Sequence, residues 1–303
     1  MSSLIHQIHE LKKQKNAILL VHNYQPPEIQ DLADFLGDSL GLSLEAGRTD
    51  AAIMVFCGVT FMAETAKILS PEKTVLIPEK NAGCPMADTI TAHEVKKLKT
   101  DHPGAKVLAY VNTSAEVKAE CDICCTSANA VKVVTEGLAD AEEIIFIPDK
   151  NLADYVSRKT GRQFILWDGE CPIHAHILPE QISFQRQLHP RAQVIVHPEC
   201  LPTVIDLADQ VLSTEGMSRF IHQSPDTEFI IGTEVGILSR LRKENPEKQF
   251  YPASAQAICP DMKKITPEKI LLALEFGIGE ITLPESIRQR AEGSIRRMLE
   301  YMS

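Results

Sequence analysis

The feature that most restricts how this chain can fold is a threefold internal repeat, which must be recognised before any element is assigned. Three apolar, strand-like runs break into polar residues: AILLVHNY at 17–24, KVLAYVN at 106–112 and QVIVHPE at 193–199. Aligning them pairs His22 with Tyr110 and His197, 88 and then 87 residues apart, and pairs Tyr24 with Asn112 and Glu199. A polar-to-helical stretch follows each run, carrying Ser39, Ser127 and Ser213 at 15, 15 and 14 residues beyond Tyr24, Asn112 and Glu199. Each copy continues with a second apolar run (AAIMVFC, EEIIFIP, EFIIG), a helix-patterned stretch (FMAETAKIL, LADYVSRK, VGILSRLRKE) and a third short run (TVLIP, QFILW, QFYPA). Each ends in Cys-Pro, at Cys84, Cys171 and Cys259, and no other cysteine precedes a proline.

Strands alternating with helices of this length predict parallel α/β units. The expected fold is therefore α/β, with three three-layer αβα domains related by pseudo-threefold symmetry and short parallel sheets set around one central site. The repeats span 1–86, 87–173 and 174–282, and an amphipathic helix over about 283–303 is expected to close the first. Ligand groups in such sheets lie in loops beyond the carboxyl ends of strands, where the polar residues of the repeat all fall.

The formal charge of −10 argues against a polyanion-binding surface, so nucleic acid is not an expected partner. The opening MSSLIHQIHELKKQKN lacks a secretory signal pattern, and no later run is long enough to span a membrane. A cytoplasmic location is expected. In that reducing compartment, eight cysteines read as buried thiols or metal ligands rather than disulfides.

Burial as a small hydrophobe is the ordinary fate of a single free cysteine. Three Cys-Pro pairs in phase reverse that expectation: three thiolates converging on one axis suit an iron–sulfur cubane better than structural zinc, which usually takes four protein ligands. One iron would then lack a protein donor and be free to polarise a substrate oxygen or nitrogen. Cys121, Cys124 and Cys125 in CDICC form a competing Cys-x-x-Cys, but no second pair accompanies it and the stretch reads as a helix start. Those three, Cys57 and Cys200 are read as structural.

HNYQ with GDSLGLS, NAGCPMAD, YVNTSAE, CTSANAVKVV, the W-x-G-x-C-x-I-H pattern, HPEC, STEGM, GTEVG and CPDMKKIT together resemble the quinolinate synthase family almost end to end. The resemblance implies condensation of iminoaspartate with dihydroxyacetone phosphate to quinolinate, with loss of phosphate and two waters, for NAD synthesis. It also implies a [4Fe-4S] cluster on Cys84, Cys171 and Cys259 with one open iron site. Functional coupling to an aspartate oxidase or aspartate dehydrogenase follows from the instability of iminoaspartate. Where some relatives carry Cys-x-x-Cys-x-x-Cys at the third ligand this chain keeps only Cys259, so no thiol–disulfide switch is expected there; Pro172 also departs from many relatives.

Such chemistry needs acid and base groups and donors for two carboxylates and a phosphate. Glu199 is the leading acid/base candidate, Tyr24 and Tyr110 are donors to a developing alkoxide, and His174, three residues after Cys171, is placed to meet substrate. His22 and His197 are expected to bind anions or shuttle protons near neutral pH, and Asn112 to contact a carboxylate or imine nitrogen. Ser39, Ser127, Ser213 and Thr214 lie where helices are expected to begin, so anion binding and ordinary N-capping both fit them. GTEVG puts Thr233 and Glu234 either at the cavity or in a helix cap. His176 stays unassigned, and the remaining histidines read as surface or core groups. A hydro-lyase on a three-cysteine cluster and a non-catalytic iron–sulfur sensor are the alternatives.

Overall fold

A computed structural model describes residues 2–301. Among the described residues twelve strands form three parallel sheets of four. The first comprises β1 (Ala17–His22), β2 (Phe35–Gly37), β3 (Ile53–Cys57) and β4 (Thr74–Leu76), in the order β2-β1-β3-β4. The same order recurs in the second, from β5 (Lys106–Tyr110), β6 (Ile123–Cys125), β7 (Ile144–Ile147) and β8 (Ile165–Leu166). It recurs again in the third, from β9 (Gln193–Val196), β10 (Gln210–Val211), β11 (Glu228–Gly232) and β12 (Gln249–Pro252). Helices cover the sheets, so the central strands are apolar along almost their whole length. The α/β fold of three αβα units expected from the repeat is the fold observed.

Register carries the repeat into space. Val21 pairs with Cys57, Ala109 with Ile147 and Val196 with Gly232, which leaves His22, Tyr110 and His197 at one equivalent carboxyl-end position. The chain leaves the first strand of each unit toward one side of the sheet and returns on the other. The loops after the first and third strands therefore part and open a crevice.

Two sequence expectations change. The stretch before each conserved-phase serine contains a fourth strand (β2, β6 or β10), two or three residues long and too short to show periodicity. CDICC accordingly runs into strand β6 rather than starting a helix, and its cysteines are buried in the core shared by the first two units. An aspartate anchors each of these edge strands. Asp34, Asp122 and Asp209 accept the backbone N–H of Leu19, Val107 and Val194 at 2.7, 2.9 and 2.8 Å, while their own N–H groups donate to the carbonyls of those same residues.

The first and second units share one apolar core, whereas the third sheet packs its own clusters on its two faces. Helix Pro267–Phe276, which a boundary at 282 would give to the third repeat, covers the first sheet through Ile270, Ala273 and Leu274. The closing helix Glu285–Leu299 lies mainly against β6 and helix Ala115–Lys118 of the second unit, and also touches helix Thr60–Leu69 of the first. Ser294 donates to the Lys118 carbonyl at 2.9 Å, and Asn129 donates to that of Met298 at 3.2 Å. The closing helix is thus not confined to the first repeat. Among the described residues no helix is long and apolar enough to cross a membrane.

Replacing the repeated aspartate orphans a strand N–H, which typically costs about 1–3 kcal/mol. Asp122→Ala should lower the unfolding free energy of the metal-free protein in denaturant by that amount; a change below about 0.5 kcal/mol would show that the anchor contributes nothing net.

Candidate active site

The carboxyl ends of the three sheets line one cavity of about 140 Å³. Its wall includes His22, Tyr24 and Ser39 from the first unit, Tyr110, Asn112 and Ser127 from the second, and His174, His197, Glu199 and Thr214 from the third, together with Cys84, Cys171 and Cys259. Of the residues singled out from the sequence, Ser213 and Thr233 are not in that wall, whereas Glu234 is; Ser213 caps helix Thr214–Gln223, accepting the Gly216 N–H at 3.2 Å. Ser39 lines the cavity without capping, because Asp38 is the cap of its helix and accepts the Gly41 N–H at 2.8 Å. Ser127 precedes a short helix that begins after Asn129, makes no cap bond to it, and meets His197 Nε2 at 3.2 Å.

Glu199, 4% exposed, is the centre of the polar network. Tyr110 donates to its Oε1 at 2.5 Å, and His174 Nδ1 donates to its Oε2 at 2.8 Å. His174 Nε2 meets the Thr233 hydroxyl at 2.8 Å, which meets the Tyr24 hydroxyl at 2.5 Å. One hydrogen-bonded chain, Tyr24–Thr233–His174–Glu199–Tyr110, therefore joins all three units. Burial alone would raise the Glu199 carboxyl, but the neighbouring His174 and His197 and the bonds from His174 and Tyr110 outweigh it and hold the group well below the usual carboxylate range. Burial first, and then the Glu199 charge, pushes both tyrosine hydroxyls well above their ordinary value, so they stay protonated donors.

His22 Nδ1 accepts the Tyr24 N–H at 3.2 Å, and His197 Nδ1 accepts the Glu199 N–H at 3.3 Å; in each ring this leaves the proton on Nε2. Burial lowers both to about 3, with Lys263 assisting at His22 and His174 at His197. They are neutral near pH 7, which replaces the expected proton shuttling with fixed donor and acceptor roles. Among the described residues Asn112 Oδ1, in the wall of the cavity, is buried without a hydrogen-bond partner. The Thr214 hydroxyl accepts from Asn23 Nδ2 at 3.0 Å. Asn23 is in turn held by Arg240 at 2.9 Å, a support that the sequence pattern did not reveal.

The thiols fit a metal. Each Cys-Pro opens a short helical turn, since proline supplies the helical φ and lacks the N–H that a first turn leaves unpaired. The next N–H groups face the sulfurs: Met86 and Ala87 at Cys84, His174 at Cys171, Asp261 and Met262 at Cys259. Burial nonetheless raises all three thiols, Cys84 to about 12, so a cation is needed to hold them as thiolates. Donor atoms of Cys171, His174 and Glu199 also lie within 4.8 Å of one another. Cys57, Cys121, Cys124, Cys125 and Cys200 are buried away from the cavity wall, and His176 is exposed.

A family model described as Quinolinate synthetase A protein matches residues 6–300. The chain belongs to the quinolinate synthase family. The quinolinate synthase of Dehalococcoides mccartyi is 54% identical over 297 residues, which are 98% of each chain. That of Thermodesulfovibrio yellowstonii is 53% identical over 300 residues, 99% of this chain and 98% of the relative. Quinolinate synthase 1 of Methanosarcina acetivorans is 52% identical over 298 residues, 98% and 97% of the two chains. As a member of this family the chain is an enzyme, and its donor set fits a metal cofactor.

The lowered histidines give a signed pH effect. The unfolded chain binds protons at His22 and His197 near the ordinary value of 6.5, whereas the folded chain does so only near 3. Stability from this source is complete above 6.5 and is lost as pH falls toward 3. The melting temperature of metal-free wild type should drop between pH 7 and 5 more steeply than that of a His22→Gln, His197→Gln double variant; equal slopes would contradict the assignment.

Proposed function

We propose that this enzyme condenses iminoaspartate with dihydroxyacetone phosphate to form quinolinate, one phosphate and two waters for NAD biosynthesis, with a [4Fe-4S] cluster on Cys84, Cys171 and Cys259. The observation that carries this reading is the meeting of three Cys-Pro thiols with a carboxylate–imidazole–tyrosine chain on one cavity wall. A single ion on Cys171, His174 and Glu199 is disfavoured, because it would break the hydrogen bond between His174 and Glu199 and leave Cys84 and Cys259 without a role. When bound, the cluster supplies a Lewis-acidic iron that lacks a protein ligand.

The remaining steps fall to side chains. Glu199, ionised and hydrogen-bonded to two donors, takes a proton from carbon or nitrogen and returns one to a departing hydroxyl, with His174 and Thr233 as the relay behind it. Tyr110 and Tyr24 donate to oxygens that gain negative charge. Asn112 Oδ1 accepts from an imine N–H or a hydroxyl, which explains an acceptor left unpaired in a wall otherwise rich in donors. Among the described residues no lysine or arginine lines the cavity. Carboxylate and phosphate are therefore held by His22, Ser39, Ser127, His197 and Thr214, with Ser213 serving as the cap that sets Thr214. Eight free cysteines fit a reducing cytoplasm, and an aspartate oxidase or dehydrogenase would supply the short-lived imine.

Anaerobic wild type given dihydroxyacetone phosphate and iminoaspartate generated in place should form quinolinate and phosphate in equal amounts. Glu199→Gln should lower kcat by about 10²–10⁴ with KM within a few-fold. Dehydration of a hydroxyacid with no phosphate released would favour a hydro-lyase instead.

A further inference from the structure

Two of the three cysteine loops are tied by carboxylates that stand outside the proton chain. Glu234 and Asp149 occupy equivalent positions, each two residues beyond the third strand of its unit. Glu234 Oε1 accepts the Cys259 N–H at 3.1 Å and Lys263 Nζ at 2.8 Å, and its Oε2 accepts the Gly236 N–H at 2.7 Å. Asp149 is 0% exposed. Its Oδ1 accepts the Leu152 N–H at 2.8 Å, and its Oδ2 has no hydrogen-bond partner among the described residues.

Lys150 donates its N–H to the Gly169 carbonyl at 2.8 Å and brings the Cys171 loop against Asp149. Only glycine fits that approach, since a Cβ at 169 would lie 2.4 Å from the Pro148 carbonyl oxygen. The first unit has Val59 at the equivalent position and takes its carboxylate from the third: Asp261 Oδ1 accepts the Gly83 N–H, next to Cys84, at 3.2 Å.

The geometry points to Glu234 as a positioning residue that fixes the Cys259 loop, with Asp261 holding the Cys84 loop across the unit boundary. A buried cysteine N–H that loses its acceptor is orphaned, and the loop shifts to find another. A site that needs three sulfurs at set positions registers such a shift even though the ligands are unchanged. Isosteric amides separate this from packing, because they keep the volume and remove an acceptor.

The metal readout rests on the three-thiol reading of the proposed function; the thiol readout does not. Metal-free wild type, Asp261→Asn and Glu234→Gln would be treated with iodoacetamide and each cysteine followed by mass spectrometry. Asp261→Asn should speed alkylation of Cys84 by about threefold or more and leave Cys171 and Cys259 near the wild-type rate, and Glu234→Gln should do the same for Cys259 alone, as local opening predicts. After anaerobic reconstitution with ferrous iron and sulfide, both should lose iron to a chelator about tenfold faster than wild type. Unchanged rates at the tied cysteine, or equal acceleration at all three, would overturn the assignment. If wild type takes up no iron, the cluster reading fails while the alkylation pattern still decides this one. Should one amide variant not fold, the other carries the same test at its own cysteine.

Discussion

A carboxylate shut away from water must be surrounded by donors, and the architecture of this site follows from how Glu199 obtains them. Desolvating such a charge costs several kcal/mol unless hydrogen bonds and opposite charge offset it. The donors come from two units, Tyr110 from the second and His174 from the third, and the chain continues through Thr233 to Tyr24 of the first. Separating the units would leave the carboxylate buried and unpaired. The same bonds that keep it ionised therefore also hold the cavity together.

Cohesion differs around the threefold axis. The first and second units are joined by a continuous apolar core, which has no directional preference and tolerates small slips. The third meets the first through polar contacts of fixed geometry. Asn23 bonds Thr214 and Arg240, Gln30 Nε2 donates to the Gly236 carbonyl at 2.8 Å, and Lys263 donates to the Tyr24 carbonyl. Directional bonds at this boundary place His174, Glu199 and Thr214 relative to Tyr24, where catalysis needs precision.

Much of this was legible in the sequence because pseudo-symmetry repeats each signal three times. His22, Tyr110 and His197 hold one phase, and the Cys-Pro pairs hold another; a pattern too weak in one copy becomes strong in three. What escaped was either too short or tertiary. The edge strands have two or three residues, so CDICC read as a helix start although it runs into a strand. The aspartates at 34, 122 and 209 also keep the repeat spacing and could have been found by extending the alignment. Ser213 carries the same local signature as a ligand serine, and only the direction of its hydroxyl toward Gly216 separates cap from site. Asn23, Lys263, Asp149 and the packing of the closing helix on the second unit depend on contacts between distant segments that no local pattern encodes.

The central claim is that three repeats deliver three thiols to one metal centre. Iron and acid-labile sulfide in anaerobically purified protein test it most directly, for wild type, each of Cys84→Ala, Cys171→Ala and Cys259→Ala, and the buried control Cys200→Ala. The account predicts about four irons and four sulfides in wild type and the control, and loss of both in each of the three ligand variants. One metal without sulfide, or a cluster that survives removal of Cys84 or Cys259, would contradict it.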